Sequence, residues 1–220
     1  MLVNADFSRR VTVRPNQYQW SPSPKEGVER VMLDRVGAEK ARATSIVRYA
    51  PGSSFSAHFH PDGEEILVLS GVFSEAGGHY PAGWYLRNPA SFNHAPFSRE
   101  GALIFVKLRQ ISAQDQCHVR IDTRDQNNWQ QQKGRDVCPL FAGAHELVSL
   151  QRLKPGTALF AELVEGGVEL LVLNGEMLLD GETHEQGSWM RFPAGDMPDL
   201  VAGSGGADIY LKTGHLAAEK

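Results

Sequence analysis

His58 and His60 stand two residues apart, and on an extended strand both imidazoles leave the same face. A tight Pro61-Asp62-Gly63 turn follows, of a composition that reverses an antiparallel chain, and the returning strand opens with Glu64. Two neutral ring nitrogens and a carboxylate oxygen held together form a donor set for a divalent first-row metal. His94, at the end of the segment that begins at Gly83, is the fourth candidate ligand. Glu65 adjoins Glu64, but consecutive strand residues face opposite ways, so both carboxylates cannot comfortably join the histidines.

Short strands must position these residues. Frequent glycine and proline (22 and 12 residues) break the chain into brief apolar runs, the pattern of an all-β protein. Residues 28–33, 43–49 and 103–108 read as strands from their branched and aromatic content, and the half holding the histidines offers no convincing helix. Residues 1–30 are polar and carry Pro22 and Pro24, which favours an extended arm or an edge strand. Residues 109–130 are rich in Gln and Asn and read as a connection, with a short strand at 118–121. Cys117 and His118 are adjacent, point apart on a strand, and are not expected to bind metal.

The chain then repeats itself. Shifted by 104 positions, residues 51–94 match residues 155–198 at 14 of 44 positions without a gap, which identifies two copies of one β-barrel unit. The expected division is 1–112, a first barrel with its N-terminal arm, and 113–220, the connector and a second barrel. Glycines that shape turns recur, as Gly63/Gly167, Gly71/Gly175 and Gly83/Gly187. The candidate ligands do not: His58 becomes Glu162, His60 becomes Val164, Glu64 becomes Val168 and His94 becomes Pro198. The second copy should therefore be a structural barrel without metal. Glu65 persists as Glu169 and Arg87 as Arg191, so Glu64 is assigned to the site. Glu65 and Arg87 are assigned to an ion pair on the barrel wall, repeated as Glu169 with Arg191.

Other features weigh less. His79 lies in a turn and is expected at the surface, and His145, His184 and His215 lack partners at ligand spacing. Ser54 and Ser56 share the His58/His60 face by alternation and are expected to line the cavity. Phe55, Phe59, Tyr85 and Phe97 are expected in the core. Net charge is −4, which argues against nucleic acid or an anionic membrane as partner. No apolar stretch approaches the length of a membrane span, and the polar N-terminus does not read as a signal peptide. With only Cys117 and Cys138 there is no disulfide framework, and a reducing cytoplasm is the expected compartment.

Two segments closely resemble the two cupin motifs. The first is Gly52, five residues, His58-x-His60, three residues, Glu64, six residues and Gly71; the second is Gly83, five residues, Pro89 and then His94. Ser91 stands where the second motif usually has glycine. The stretches 43–49, 63–69, 80–83, 87–89, 94–98 and 106–109 look like the cupin domain of ChrR-type anti-sigma factors, and 211–216 is similar to the second half of tandem members. The resemblance implies a double-stranded β-helix and a zinc ion on His58, His60, Glu64 and His94. The family's anti-sigma activity resides in a helical zinc-binding module ahead of the cupin. Residues 1–30 lack the His and Cys for that module, so a sigma factor is not an expected partner.

Two functions follow from this reading. One is a metal-binding sensor or regulatory module; the other is a metal-dependent dioxygenase acting on a small diketone-like substrate. Four protein donors fill a tetrahedral zinc shell, whereas iron(II) with six positions would keep two open. One divalent metal per chain is expected, zinc favoured and iron the alternative. A small-molecule ligand in the first barrel and a homodimer stay open as partners.

Overall fold

The computed structural model describes residues 1–38, 40–90 and 92–216; Ser91, the departure from the second motif, lies outside them. Among the described residues every regular element is a strand except two 3-10 turns, Pro15–Gln17 and Gln126–Asn128. The all-β expectation holds.

The chain forms two compact units, one of Met1–Ala5 with Gln19–Arg124, the other of Asp6–Tyr18 with Asp125 onward. This differs from a division at 112/113 in two ways. Val119–Asp122, the expected short connector strand, pairs with Trp84–Asn88 and so belongs to the first unit. Val11–Val13 of the N-terminal arm pairs with Trp189–Phe192 and so belongs to the second. Both choices have the same cause, since a sheet edge offers unpaired backbone groups that a polar extended segment can satisfy.

In the first unit the main sheet runs through Leu2–Val3, Val28–Val36, Arg42–Tyr49, Ala102–Leu108, Glu64–Glu75, Trp84–Asn88 and Val119–Asp122. In the second it runs through Gln130–Gln132, Arg135–Ala142, Leu147–Leu153, Leu200–Thr213, Val168–Leu179, Trp189–Phe192 and Val11–Val13. The five middle positions correspond strand for strand, as the repeat requires. Each unit then borrows its last strand from outside the repeat.

The long strand Glu64–Glu75 carries a bulge: Ile104 faces Val68 but Leu103 faces Ser70, leaving Leu69 without an opposite residue. An extra residue of this kind resets the in/out alternation of the strand beyond it. Gly71 follows with φ of +69°, where a Cβ would lie 2.1 Å from the Gly101 carbonyl oxygen. Only glycine fits such an approach. The second unit repeats both features, with Leu173 skipped between Val172 and Asn174 and Gly175 at φ of +70°.

The wall face of this strand carries buried charge. Glu65 lies opposite Arg87 on one side and Lys107 on the other. Arg87 Nη1 donates to Glu65 Oε2 at 3.0 Å, and its Nη2 reaches Asp115 at 2.7 Å. The expected ion pair is present, and both members are buried rather than solvated. In the second unit Glu169 and Arg191 are again cross-strand neighbours and both buried. There Glu169 accepts from Trp189 Nε1 at 2.9 Å and meets His215 at 3.1 Å.

The interiors of the two units differ in kind. The first packs Val28, Tyr49, Ile66, Val68, Phe73, Leu86, Ile104 and Val106 and leaves polar side chains beyond them. The second is apolar where the first is polar: Val168, Leu179 and Phe192 join one core with Leu170, Met190 and Ile209, and Val164 packs against it.

Candidate metal centre

His58–His60 and Phe92–His94 form a two-stranded antiparallel ladder in which His94 lies opposite His58 and Phe92 opposite His60. Directly opposed residues share a face, as do residues i and i+2, so the ladder alone turns all three histidines one way. Their ligand nitrogens lie within 4.8 Å of one another. The turn that follows is held by the Gly63 N–H donating to the His60 carbonyl at 3.1 Å, with Gly63 at φ of +72°. It returns Glu64 to the cluster: Oε1 is 3.5 Å from His60 Nε2 and Oε2 is 3.5 Å from His94 Nε2. Glu65 faces the wall. Glu64 thus lies on the histidine side and Glu65 beside Arg87.

His60 Nε2 and His94 Nε2 are 3.1 Å apart. Two nitrogens each bound to one zinc at about 2.0–2.1 Å would be separated by about 2.9 Å at a right angle and about 3.4 Å at the tetrahedral angle. The donor set and its spacing fit a first-row divalent ion. The other ring nitrogen of His58 is engaged too, Nδ1 lying 2.8 Å from the Ser56 carbonyl, which turns Nε2 towards the cluster. His58 and His60 are half-buried and His94 is buried, so the centre has one side towards solvent.

Three polar residues that spacing did not single out complete the arrangement. Glu75 Oε2 is 2.8 Å from His94 Nδ1, which as N–H donates to it. Arg120 Nη2 donates to Glu75 Oε1 at 2.8 Å and to Asn88 Oδ1 at 2.6 Å. Asn88 Nδ2 in turn donates to Glu64 Oε2 at 3.3 Å. The repeat held a signal for two of them, because Glu75 becomes Leu179 and Asn88 becomes Phe192 together with the lost ligands.

Other expectations divide. Ser54 and Ser56 are both exposed, because the strand breaks after Ser54 and alternation does not carry through to His58; Ser56 contributes its carbonyl instead. Tyr85 is core and Phe55 packs against the core, but Phe59 is 63% exposed beside the mouth of the site. Its neighbours His58 and His60 take the inward face, so alternation sends Phe59 outward. His79 is exposed as expected, on strand Gly78–Pro81 rather than in a turn. His118 stacks edge-on against Phe92, with ring centroids 5.0 Å apart.

The imidazoles are electrostatically unequal. Burial pushes His60 below the ordinary histidine value, with Glu64 opposing and the neighbouring histidines adding to the depression. Burial acts the same way on His94, but Glu64 and the Glu75 hydrogen bond outweigh it and hold His94 above the ordinary value. For Glu75, the raising effect of burial is overcome by His94 and Arg120, which keep it an anion.

These shifts set a pH dependence. The His60 shift weakens the metal-free fold as pH falls below the ordinary imidazole value of about 6.5. The His94 shift has the opposite sign: its stabilisation is complete below about 6.5 and is lost as pH rises through the raised folded value. Zinc affinity is the cleaner readout, since metal and proton compete directly for His94. Affinity is expected to fall as pH drops through a range beginning above about 6.5, by about tenfold per unit for each proton displaced. Competition titrations with a zinc chelator between about pH 8 and pH 5.5 check this; a flat profile would contradict it.

The first unit holds a cluster of metal-ligand type within a cupin-like double-stranded β-helix, and the second unit repeats its strand order. Solved structures agree at the level of fold. A candidate dioxygenase from Nostoc punctiforme covers 97% of this chain and 85% of its own at a TM-score of 0.78 and 13% identity. The bacterial pirin YhhW from Escherichia coli, solved in complex with nickel(II), covers 93% and 98% at 0.69 and 11%. A cupin 2 conserved barrel domain protein from Leptotrichia buccalis covers 97% and 99% at 0.62 and 14%. No curated protein sequence matches the chain. Residues 8–112 match the family model of the ChrR cupin-like domain. No described helix is long and apolar enough to cross a membrane.

Proposed function

We propose that the first unit binds one divalent metal ion through His58, His60, Glu64 and His94, and that the protein acts as a metal-centred sensor or regulatory module. One observation carries the reading: three imidazoles and a carboxylate converge in the first unit, where the second unit has an apolar core. Four protein donors suit tetrahedral zinc, which is the favoured ion. The match of residues 8–112 to the ChrR cupin-like domain supports a regulatory rather than a metabolic role. Both cysteines are free, which is in keeping with a cytoplasmic setting. The half-exposed side at His58 and His60 is where a small-molecule signal would enter.

That same open side supports a second reading, a metal-dependent dioxygenase acting on a small diketone. Iron in place of zinc would supply oxygen chemistry, with the four residues as its holders and two positions left for reactants. Within the chain, Glu75 would keep the His94 Nδ1 proton in place and Arg120 would keep Glu75 ionised.

Anaerobic purification followed by metal analysis and oxygen-uptake assays separates the two. The sensor reading expects zinc at one equivalent, and no oxygen uptake with pentane-2,4-dione after iron loading. Sustained, substrate-dependent uptake that His60→Ala abolishes would transfer the assignment to the dioxygenase.

A further inference from the structure

The ligands His94 and Glu64 are joined by a chain of side chains that no ligand motif includes. It runs from His94 Nδ1 to Glu75 Oε2 at 2.8 Å and from Glu75 Oε1 to Arg120 Nη2 at 2.8 Å. It continues from Arg120 to Asn88 Oδ1 at 2.6 Å and from Asn88 Nδ2 to Glu64 Oε2 at 3.3 Å. Each link has a structural cause. Asn88 lies opposite Glu64 in the strand ladder and so shares its face. Arg120 lies opposite Leu86, two residues from Asn88, and therefore points to the same side. Glu75 is eleven residues beyond Glu64, an odd spacing that the bulge at Leu69 corrects.

We propose that Glu75, Asn88 and Arg120 are positioning residues of the metal centre, with the guanidinium of Arg120 orienting a ligand at each end of the chain. Because Arg120 donates to Asn88 Oδ1, the amide must present its N–H to Glu64. Because Arg120 also donates to Glu75 Oε1, the other carboxylate oxygen is turned towards His94 Nδ1. That fixes the tautomer with Nε2 free, on the side of His60 and Glu64. The guanidinium is itself clamped. Nη1 donates to the Val119 and Arg87 carbonyls at 2.8 and 3.2 Å, Nε donates to the Tyr80 hydroxyl at 3.3 Å, and Tyr80 also lies beneath it.

Two observations separate this from an ordinary buried ion pair. The wall pair Glu65–Arg87 has its residues preserved in the second copy, whereas Glu75 and Asn88 are replaced by Leu179 and Phe192 along with the ligands. Arg120 also comes from strand Val119–Asp122, beyond the 8–112 segment that matches the cupin-like domain. The connector therefore supplies part of the centre, and the first unit without it would keep the ligands, Glu75 and Asn88 but lose Arg120.

The inference rests on the metal reading above, and the experiment keeps the two apart. The unaltered chain, its His60→Ala variant, Glu75→Gln, Arg120→Lys and Arg120→Gln are titrated with zinc. They are then loaded with cobalt(II) for visible ligand-field spectra, and the metal-free forms are melted. Arg120→Lys keeps the charge but loses the fork, so it should fail together with Arg120→Gln. The expected result is a loss of affinity on the order of 10- to 100-fold in all three outer variants, with altered cobalt bands. Wild-type affinity and unaltered bands in Glu75→Gln and Arg120→Lys, whatever their melting temperatures, would overturn the inference and leave the metal site standing. Failure of the unaltered protein itself to bind zinc or cobalt would overturn both. Should Arg120→Gln not fold, Glu75→Leu, which copies Leu179 of the second unit, carries the same test.

Discussion

Elemental analysis of the purified protein is expected to give one divalent metal per chain, and His60→Ala combined with His94→Ala to give none. The second unit is not expected to contribute. At its positions equivalent to His60 and Glu64 stand Val164 and Val168, and at those of Glu75 and Asn88 stand Leu179 and Phe192. These side chains join or pack against one apolar core. Burying a side chain of this size contributes about 1.5–3 kcal/mol, so this apolar interior is stabilised without a metal. The first unit gathers polar groups inside, and a metal bound there would couple its binding free energy to the fold. Chelation should therefore lower the thermal stability of the unaltered protein and leave the double variant unchanged. Two equivalents of tightly bound metal, or one that survives both substitutions, would refute the assignment.

Glu64→Gln and Glu65→Gln should fail in opposite ways. Glu64 lies 3.5 Å from both His60 Nε2 and His94 Nε2, so neutralising it removes the anionic donor while the amide still fits beside Asn88. Metal affinity should drop on the order of tenfold or more, by analogy with supporting groups of metal sites, and the metal-free fold should change little. Glu65 faces the wall and pairs with Arg87 at 3.0 Å, both fully enclosed. Leaving a buried charge without its partner costs about 3–5 kcal/mol, but Asp115 still holds Arg87 at 2.7 Å. A loss of roughly 0.5–3 kcal/mol is therefore expected, with metal affinity nearly intact. Zinc titration and denaturant melts of the metal-free variants measure the two effects. Loss of metal in Glu65→Gln with retention in Glu64→Gln would show that the register through Pro61-Asp62-Gly63 is wrong.

Much of this protein is determined locally, and that part is legible in the sequence. Strand alternation decides that His58 and His60 share a face, and a short turn with glycine at a left-handed φ decides that Glu64 returns to them. The repeat goes further, since a position lost in one copy together with the ligands is marked as part of the site, and Glu64 is separated from Glu65 in that way. Tertiary structure alone decided the rest. Alternation fails where the chain leaves regular pairing: the bulge at Leu69 turns Glu75 inward against its odd spacing, and the break after Ser54 sends Ser54 and Ser56 to the surface. Spacing is likewise silent about which segment completes a sheet edge. Val11–Val13 joins the second unit and Val119–Asp122 the first, through backbone hydrogen bonds that most side chains would allow. Arg120 reaches Glu75 and Asn88 by that route, because a contact made by strand pairing across distant segments leaves no periodic trace in the chain.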